Sequence, residues 1–128
     1  MIDIKKQISY WRDGAKEDWP VARSLVQQGH TRHGLFFAHL AIEKAIKAHV
    51  CRSTSDLAPK QHSLLRLAEK TDLTFPEKSL LLLSRFDRYQ IEGRYPESLP
   101  IALTVEEAQE EMDSVEEIFQ WLISQLPQ

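Results

Sequence analysis

The chain has 128 residues, a length that fits one domain of ordinary size, large enough to fold on a hydrophobic core without disulfides or a structural metal. Hydrophobic residues make up 42% and charged residues 27%, near the globular average, which excludes collagen-like, disordered and supercharged classes. Sixteen Lys and Arg against nineteen Asp and Glu leave a net charge of −3; this excludes coating of nucleic acid by bulk charge but leaves room for a local basic cleft.

The one cysteine, Cys51, has no intrachain partner. The stretch Met1-Ile2-Asp3-Ile4-Lys5-Lys6 lacks the apolar run of a signal peptide, and no segment approaches the ~20 apolar residues that span a bilayer. The expected setting is cytoplasmic and reducing, with no membrane partner.

Strict apolar/polar alternation never persists, so the chain is tested against the helical repeat. In the first segment Ile4, Ile8, Trp11, Ala15, Asp18, Ala22 and Leu25 step by four and three, tracing one stripe down a helix that ends near Gly29. Pro20 is expected to kink or break it. Asp18 is the charged member of the stripe, where an unpaired carboxylate is expensive to bury. It is expected to pair with Lys44 or Lys47 or to cap a backbone amide, the alternative being an Asp at the stripe's edge facing water.

From Thr31 to about Arg52 apolar residues fall at nearly every angle, with Ala38, Ala41, Ala45 and Ala48 between Leu35, Phe36, Phe37, Leu40, Ile42, Ile46 and Val50. Such a helix is central and buried, so Glu43, Lys44 and Lys47 are expected in polar gaps or at a subunit seam. Ser53 to Lys60 reads as a loop and Gln61 to Lys70 as a short helix. The next helix has Pro76 in its first turn, carries Leu80 to Leu83, Phe86 and Ile91, and stops near Gly93. Arg94 to Pro100, with two prolines, reads as a non-helical strap.

Thr104 followed by Glu107 is a capping-box spacing. Val105, Ala108, Met112, Val115, Phe119, Leu122 and Leu126 then make an amphipathic last helix, with Glu106, Glu110, Asp113 and Glu117 outside. The expected fold is all-α: an up-and-down helical bundle of four longer helices plus one short helix, in a single domain over residues 1–128.

The five histidines, His30, His33, His39, His49 and His62, lack a metal-ligand spacing, and neither a P-loop nor Gly-x-Gly-x-x-Gly occurs. No metal and no cofactor are expected. The run from Arg85 to Pro96 concentrates three arginines and two tyrosines where a helix ends. Guanidinium groups grip phosphate bidentately and tyrosines stack on bases; alternatively Arg85, Arg88 and Asp87 make ordinary surface pairs and the tyrosines pack.

Four stretches occur in order: Trp11-x3-Ala15-x2-Asp18-x3-Ala22-x2-Leu25, Phe37-x3-Ala41-x-Glu43-Lys44-Ala45-x-Lys47-Ala48, His62-x-Leu64, and Asp87-Arg88-Tyr89-x5-Arg94-Tyr95-Pro96. Together they resemble the HEPN domain, the nucleotide-binding domain of higher eukaryotes and prokaryotes, over essentially the whole chain. The resemblance implies an all-α bundle, usually dimeric, often working with a minimal nucleotidyltransferase as a two-component or toxin–antitoxin pair. Many relatives are metal-independent ribonucleases that use an Arg followed after four to six residues by a His. Arg88 stands for that arginine here, but the histidine position falls near Gly93, Arg94 and Tyr95. The spacings Arg23 to His30 and Arg32 to His39 match the pattern away from the family's location; the latter pair shares one helical face.

The expected function is therefore a nucleotide- or RNA-phosphate-binding accessory domain. Lys44, Lys47, Arg88 and Arg94 supply charge, Tyr89 and Tyr95 supply ring faces, and Glu43 orients the basic groups, with Asp18, His62 and Asp87 as structural polar residues. The alternatives are a ribonuclease with a rearranged site and a dimerisation module without ligand. A two-fold homodimer is expected, through the second helix or through Trp121, which lies off the last helix's apolar face.

Overall fold

The computed structural model describes residues 2–90 and 103–127. Among them are α1 (Ile4–Gln27), α2 (Thr31–Thr54), α3 (Leu64–Ala68), α4 (Glu77–Phe86) and α5 (Val105–Ser124), and no strand. The all-α bundle of four longer helices and one short one is thus the observed architecture.

Asp3 caps α1 by accepting from the Lys6 amide, and Gly29, at φ +91°, turns the chain toward α2. Pro20 lies inside α1 and does not end it, so the expected break is absent. Its ring sits on the exposed side, while its neighbours Trp19 and Ala22 are buried; packing of those neighbours carries the helix past the missing hydrogen bond. The buried stripe is also displaced from the one expected. Trp19 and Val26 join Ile8, Ala15 and Ala22, whereas Asp18 and Leu25 lie at its half-buried edge.

Helix α2 is the centre of the bundle, with both its apolar and several of its polar residues buried. Its fully buried Ala38, Ala41 and Ala45 admit close neighbours. Against α1 it runs antiparallel: Gly34 abuts Ala22 and Val26, and Lys44 abuts Gly14. It ends two residues later than expected, at Thr54, and Ser55 then adopts the left-handed conformation.

The Thr104–Glu107 capping box forms as its spacing predicted, and α5 returns antiparallel to α1. Phe119 stacks on Trp19 at 4.5 Å between centroids. Glu116 accepts from Trp19 Nε1 at 2.8 Å and from Arg23 at 2.9 Å. Glu106, Glu110, Asp113 and Glu117 are exposed or half-exposed, as an outer face requires. Trp121, expected to be exposed, is half-buried because its ring packs edge-on against Phe75 at 5.3 Å.

The two middle helices are shorter than their apolar patterns suggested. Helix α3 begins only after Ser63, whose hydroxyl accepts from the Arg66 amide and fixes the start. Helix α4 stops at Phe86, because Asp87 makes the turn that follows; residues 88–90 are helical again. The strap from Arg94 to Pro100 lies outside the described residues.

His49 fastens α2 to α5 inside the core. Its Nε2–H donates to the Leu122 carbonyl at 2.8 Å and its Nδ1 accepts from Arg52 at 3.3 Å, so both nitrogens are committed to the neutral ring. Burial holds its pKa below the usual histidine value; the Leu122 carbonyl opposes that shift and the Arg52 guanidinium adds to it. The unfolded chain therefore takes up a proton that the folded chain refuses. The resulting stabilisation is whole above the ordinary imidazole value of about 6.5 and declines below it, by up to ~1.4 kcal/mol per pH unit. Urea midpoints are expected to fall between pH 7.5 and pH 5.5 (roughly one unit to either side of that value) and to fall less in His49→Gln. An equal decline in both chains would exclude His49 as its source.

Candidate functional site

Helix α2 carries polar residues at intervals of four, His39, Glu43 and Lys47, within its largely apolar middle, and that spacing puts them on one face. All three are buried. They face the turn before α3 and the turn after α4, and the donors and acceptors there complete a network. Asp87 is its hub on one side: Oδ1 accepts from the Leu64 amide at 2.7 Å and lies 2.9 Å from His39 Nε2, while Oδ2 accepts from Ser63 Oγ at 3.1 Å. An ionised carboxylate only accepts, so His39 carries a hydrogen on Nε2.

Glu43 is the hub on the other side. Its Oε2 lies 3.0 Å from Lys47 Nζ and 3.1 Å from His62 Nδ1. Its Oε1 has no hydrogen-bond partner among the described residues and stands 3.7 Å from His39 Nδ1. The Lys47 ammonium also lies over the Trp11 ring, 5.0 Å from its centroid, which ties the network to α1. Above it opens a cavity of about 440 Å³ lined by Lys60, Gln61, His62, Ser63, Asp87 and Gln90.

The expected ligand-binding residues are distributed over separate places. Glu43 and Lys47 join His62 and Asp87 in the buried network. Lys47 is 5% exposed and paired, so it is a structural cation and not a charge presented to a ligand. Lys44 reaches across Gly14 to Asp18 at 2.7 Å, forming the ion pair that the place of Asp18 on α1 called for.

Tyr89 was expected to offer a ring face but is buried, packed against Phe86 at 4.8 Å and donating its hydroxyl to Glu111. The Arg88 guanidinium lies 5.3 Å from the Tyr89 ring, and Arg85 pairs with Glu111. Arg88 shares its cavity with Glu107, Glu110 and Glu111, carboxylates that disfavour a phosphate there. Arg94 and Tyr95 lie outside the described residues.

Five residues of the cluster and its cavity are not among the site residues expected from the sequence: His39, Lys60, Gln61, Ser63 and Gln90. For His39 the signal was available, since it precedes Glu43 by one turn of α2 and continues the polar row. Ser63 and Lys60 carry no such signal, because only the fold brings their turn to Asp87. Arg32 and His39 do not form a site, since Arg32 is exposed and His39 is buried. His30 and His33 do face one another edge-on at 6.5 Å, but no His, Cys, Asp or Glu cluster among the described residues has metal-binding geometry. No helix among those residues is long and apolar enough to cross a membrane.

Comparison with solved structures returns the same fold. The structure of TT1696 from Thermus thermophilus is 26% identical with a TM-score of 0.80, over 94% of this chain and 98% of that one. ST0689, described as an archaeal HEPN homologue, is 22% identical with a TM-score of 0.72 over the same shares. No curated protein matches the chain significantly. The HEPN domain pattern matches residues 8–126, nearly the whole sequence and all five helices apart from the first turn of α1. The chain belongs to the HEPN domain family.

Proposed function

We propose that the chain is a nucleotide- or RNA-phosphate-binding accessory domain, working as a homodimer beside a minimal nucleotidyltransferase in a two-component or toxin–antitoxin pair. The observation that carries the ligand class is the cavity over Glu43. An ammonium, an imidazole and an amide, from Lys60, His62 and Gln61, line it together, a donor set suited to phosphoryl oxygens, while the Ser63 hydroxyl is already given to Asp87. Membership of the HEPN family supports the same ligand class and the paired-system setting. Arg94 and Tyr95 follow Gln90, the last lining residue, by four and five positions in sequence.

The reading is tested with a short labelled single-stranded RNA and with ATP, followed by fluorescence anisotropy. Two phosphate contacts predict about a sevenfold loss of RNA affinity between about 50 and about 200 mM salt, because cationic contacts displace counterions. Lys60→Ala and Arg94→Ala are expected to weaken binding without lowering the melting temperature. RNA is expected to survive incubation uncut, since no histidine follows Arg88 at the four-to-six-residue spacing of the ribonuclease relatives. Metal-independent cleavage lost in His62→Ala would move the assignment to a ribonuclease. Light scattering that reports a monomer at high micromolar concentration would remove the homodimer.

A further inference from the structure

Glu43 is a carboxylate held 3% exposed beneath an open cavity, and a single oxygen of it faces both Lys47 and His62. Because that oxygen only accepts, His62 carries a hydrogen on Nδ1. Nε2 is then the ring nitrogen left for whatever enters the cavity, and the His62 side chain is 45% exposed. A neutral ring offers a lone pair at Nε2, which an anionic phosphoryl oxygen repels. An imidazolium offers an N–H and a positive charge, which the same oxygen accepts.

We propose that His62 is a pH-gated phosphoryl contact: the cavity takes a phosphoryl group of a nucleotide or RNA strand together with one proton at His62 Nε2, while Glu43 fixes the ring as a positioning residue. The inference rests on the phosphate-binding reading above and adds its regulation. The charged and titratable groups around the ring are Glu43, Lys47 and His39 on α2, Asp87 after α4, and Lys60 on the ring's own loop.

Each of the other groups is a poor candidate for the gate. Lys47 is buried, committed to Glu43 and the Trp11 ring, and absent from the cavity lining, and the Lys60→Gln variant tells Lys60 apart from the ring. Asp87 opposes an anion, but its oxygens already face the Leu64 amide, the Ser63 hydroxyl and His39. His39 is 1% exposed and does not line the cavity. Proton uptake on binding means that affinity rises as pH falls, toward a limit of about tenfold per pH unit while the free ring is neutral.

The test uses the full chain, with a short RNA whose diester charges do not titrate between about pH 8 and about pH 6 and, as a second arm, 5′-AMP, whose terminal phosphate gains a proton near about pH 6. The native chain is expected to bind at least one of them about fivefold or more tighter at the lower pH, for proton uptake by one group. Tighter binding of RNA assigns the site to a diester, and of 5′-AMP to a terminal phosphate. His62→Gln is expected to abolish the pH ratio. Lys60→Gln is expected to weaken binding at both pH values and keep the ratio. Proton NMR of the histidine ring should show His62 titrating at higher pH with ligand than without it. A ratio near one in the native chain, or an unchanged ratio in His62→Gln, would overturn the gate and leave the binding reading standing. Absence of binding at both pH values would overturn the binding reading, and the gate with it.

Discussion

Replacing Glu43 by Ala is expected to destabilise the fold by about 3–5 kcal/mol, the range found when one partner of a buried ion pair is removed. The loss has a specific origin. The Lys47 side chain is 7% exposed, and its ammonium faces the Glu43 carboxylate and the Trp11 ring. Without the carboxylate, the ring's modest attraction, ~0.5–2 kcal/mol, does not offset the desolvation of a charge. The variant Glu43→Leu with Lys47→Met removes both charges at similar volume and is expected to recover most of the loss, as buried pairs replaced by apolar groups commonly do. Urea denaturation of the single and double variants measures this. A single variant within about 1 kcal/mol of the native chain would mean that Lys47 swings to water and that the network does not hold α2 to the turn before α3.

How far the sequence exposed this arrangement depended on whether the determinant was local. The last helix was legible to the residue at its start because Thr104 and Glu107 satisfy each other's backbone amides within one turn. The burial of α2 was legible from its all-round apolarity. In the middle of the chain the apolar pattern does not show the turn at Asp87, whose carboxylate is held by the Ser63 hydroxyl and the Leu64 amide from 24 and 23 positions away, and the expected end near Gly93 lies outside the described residues. Of the kink or break expected at Pro20, the break is absent, because burial of Trp19 and Ala22 carries α1 past the missing hydrogen bond. The site divided similarly. Glu43, Lys47, His62 and Asp87 stood out as polar residues in apolar or motif-bearing stretches. Tyr89 was misassigned because a tyrosine that closes a core and one that stacks on a base look alike until Glu111 is seen to accept from its hydroxyl.

The approach of α1 to α2 that brings Lys44 to Asp18 and Lys47 to Trp11 is set further along the pair by Gly34, and Gly34→Ala is expected to cost about 2 kcal/mol net. A Cβ there would lie 2.4 Å from Val26 Cγ2, 2.9 Å from the Val26 backbone nitrogen and 3.0 Å from the Ala22 carbonyl oxygen. The valine methyl can rotate away, but the two backbone atoms move only if the helices separate. Overpacking of that kind costs about 3 kcal/mol at the upper end of its usual range, and the better helix propensity of Ala returns at most ~1 kcal/mol. Gly14→Ala makes the contrast. Its Cβ would meet only Lys44, at 3.1 Å from Cδ, a flexible stem that can shift, so this variant is expected to be neutral or up to ~1 kcal/mol more stable by helix propensity. Melting curves of the two variants beside the native chain decide the matter. Equal shifts would show that the helices tolerate separation at Gly34, whereas opposite shifts would show that α1 and α2 cannot separate there to admit a methyl group.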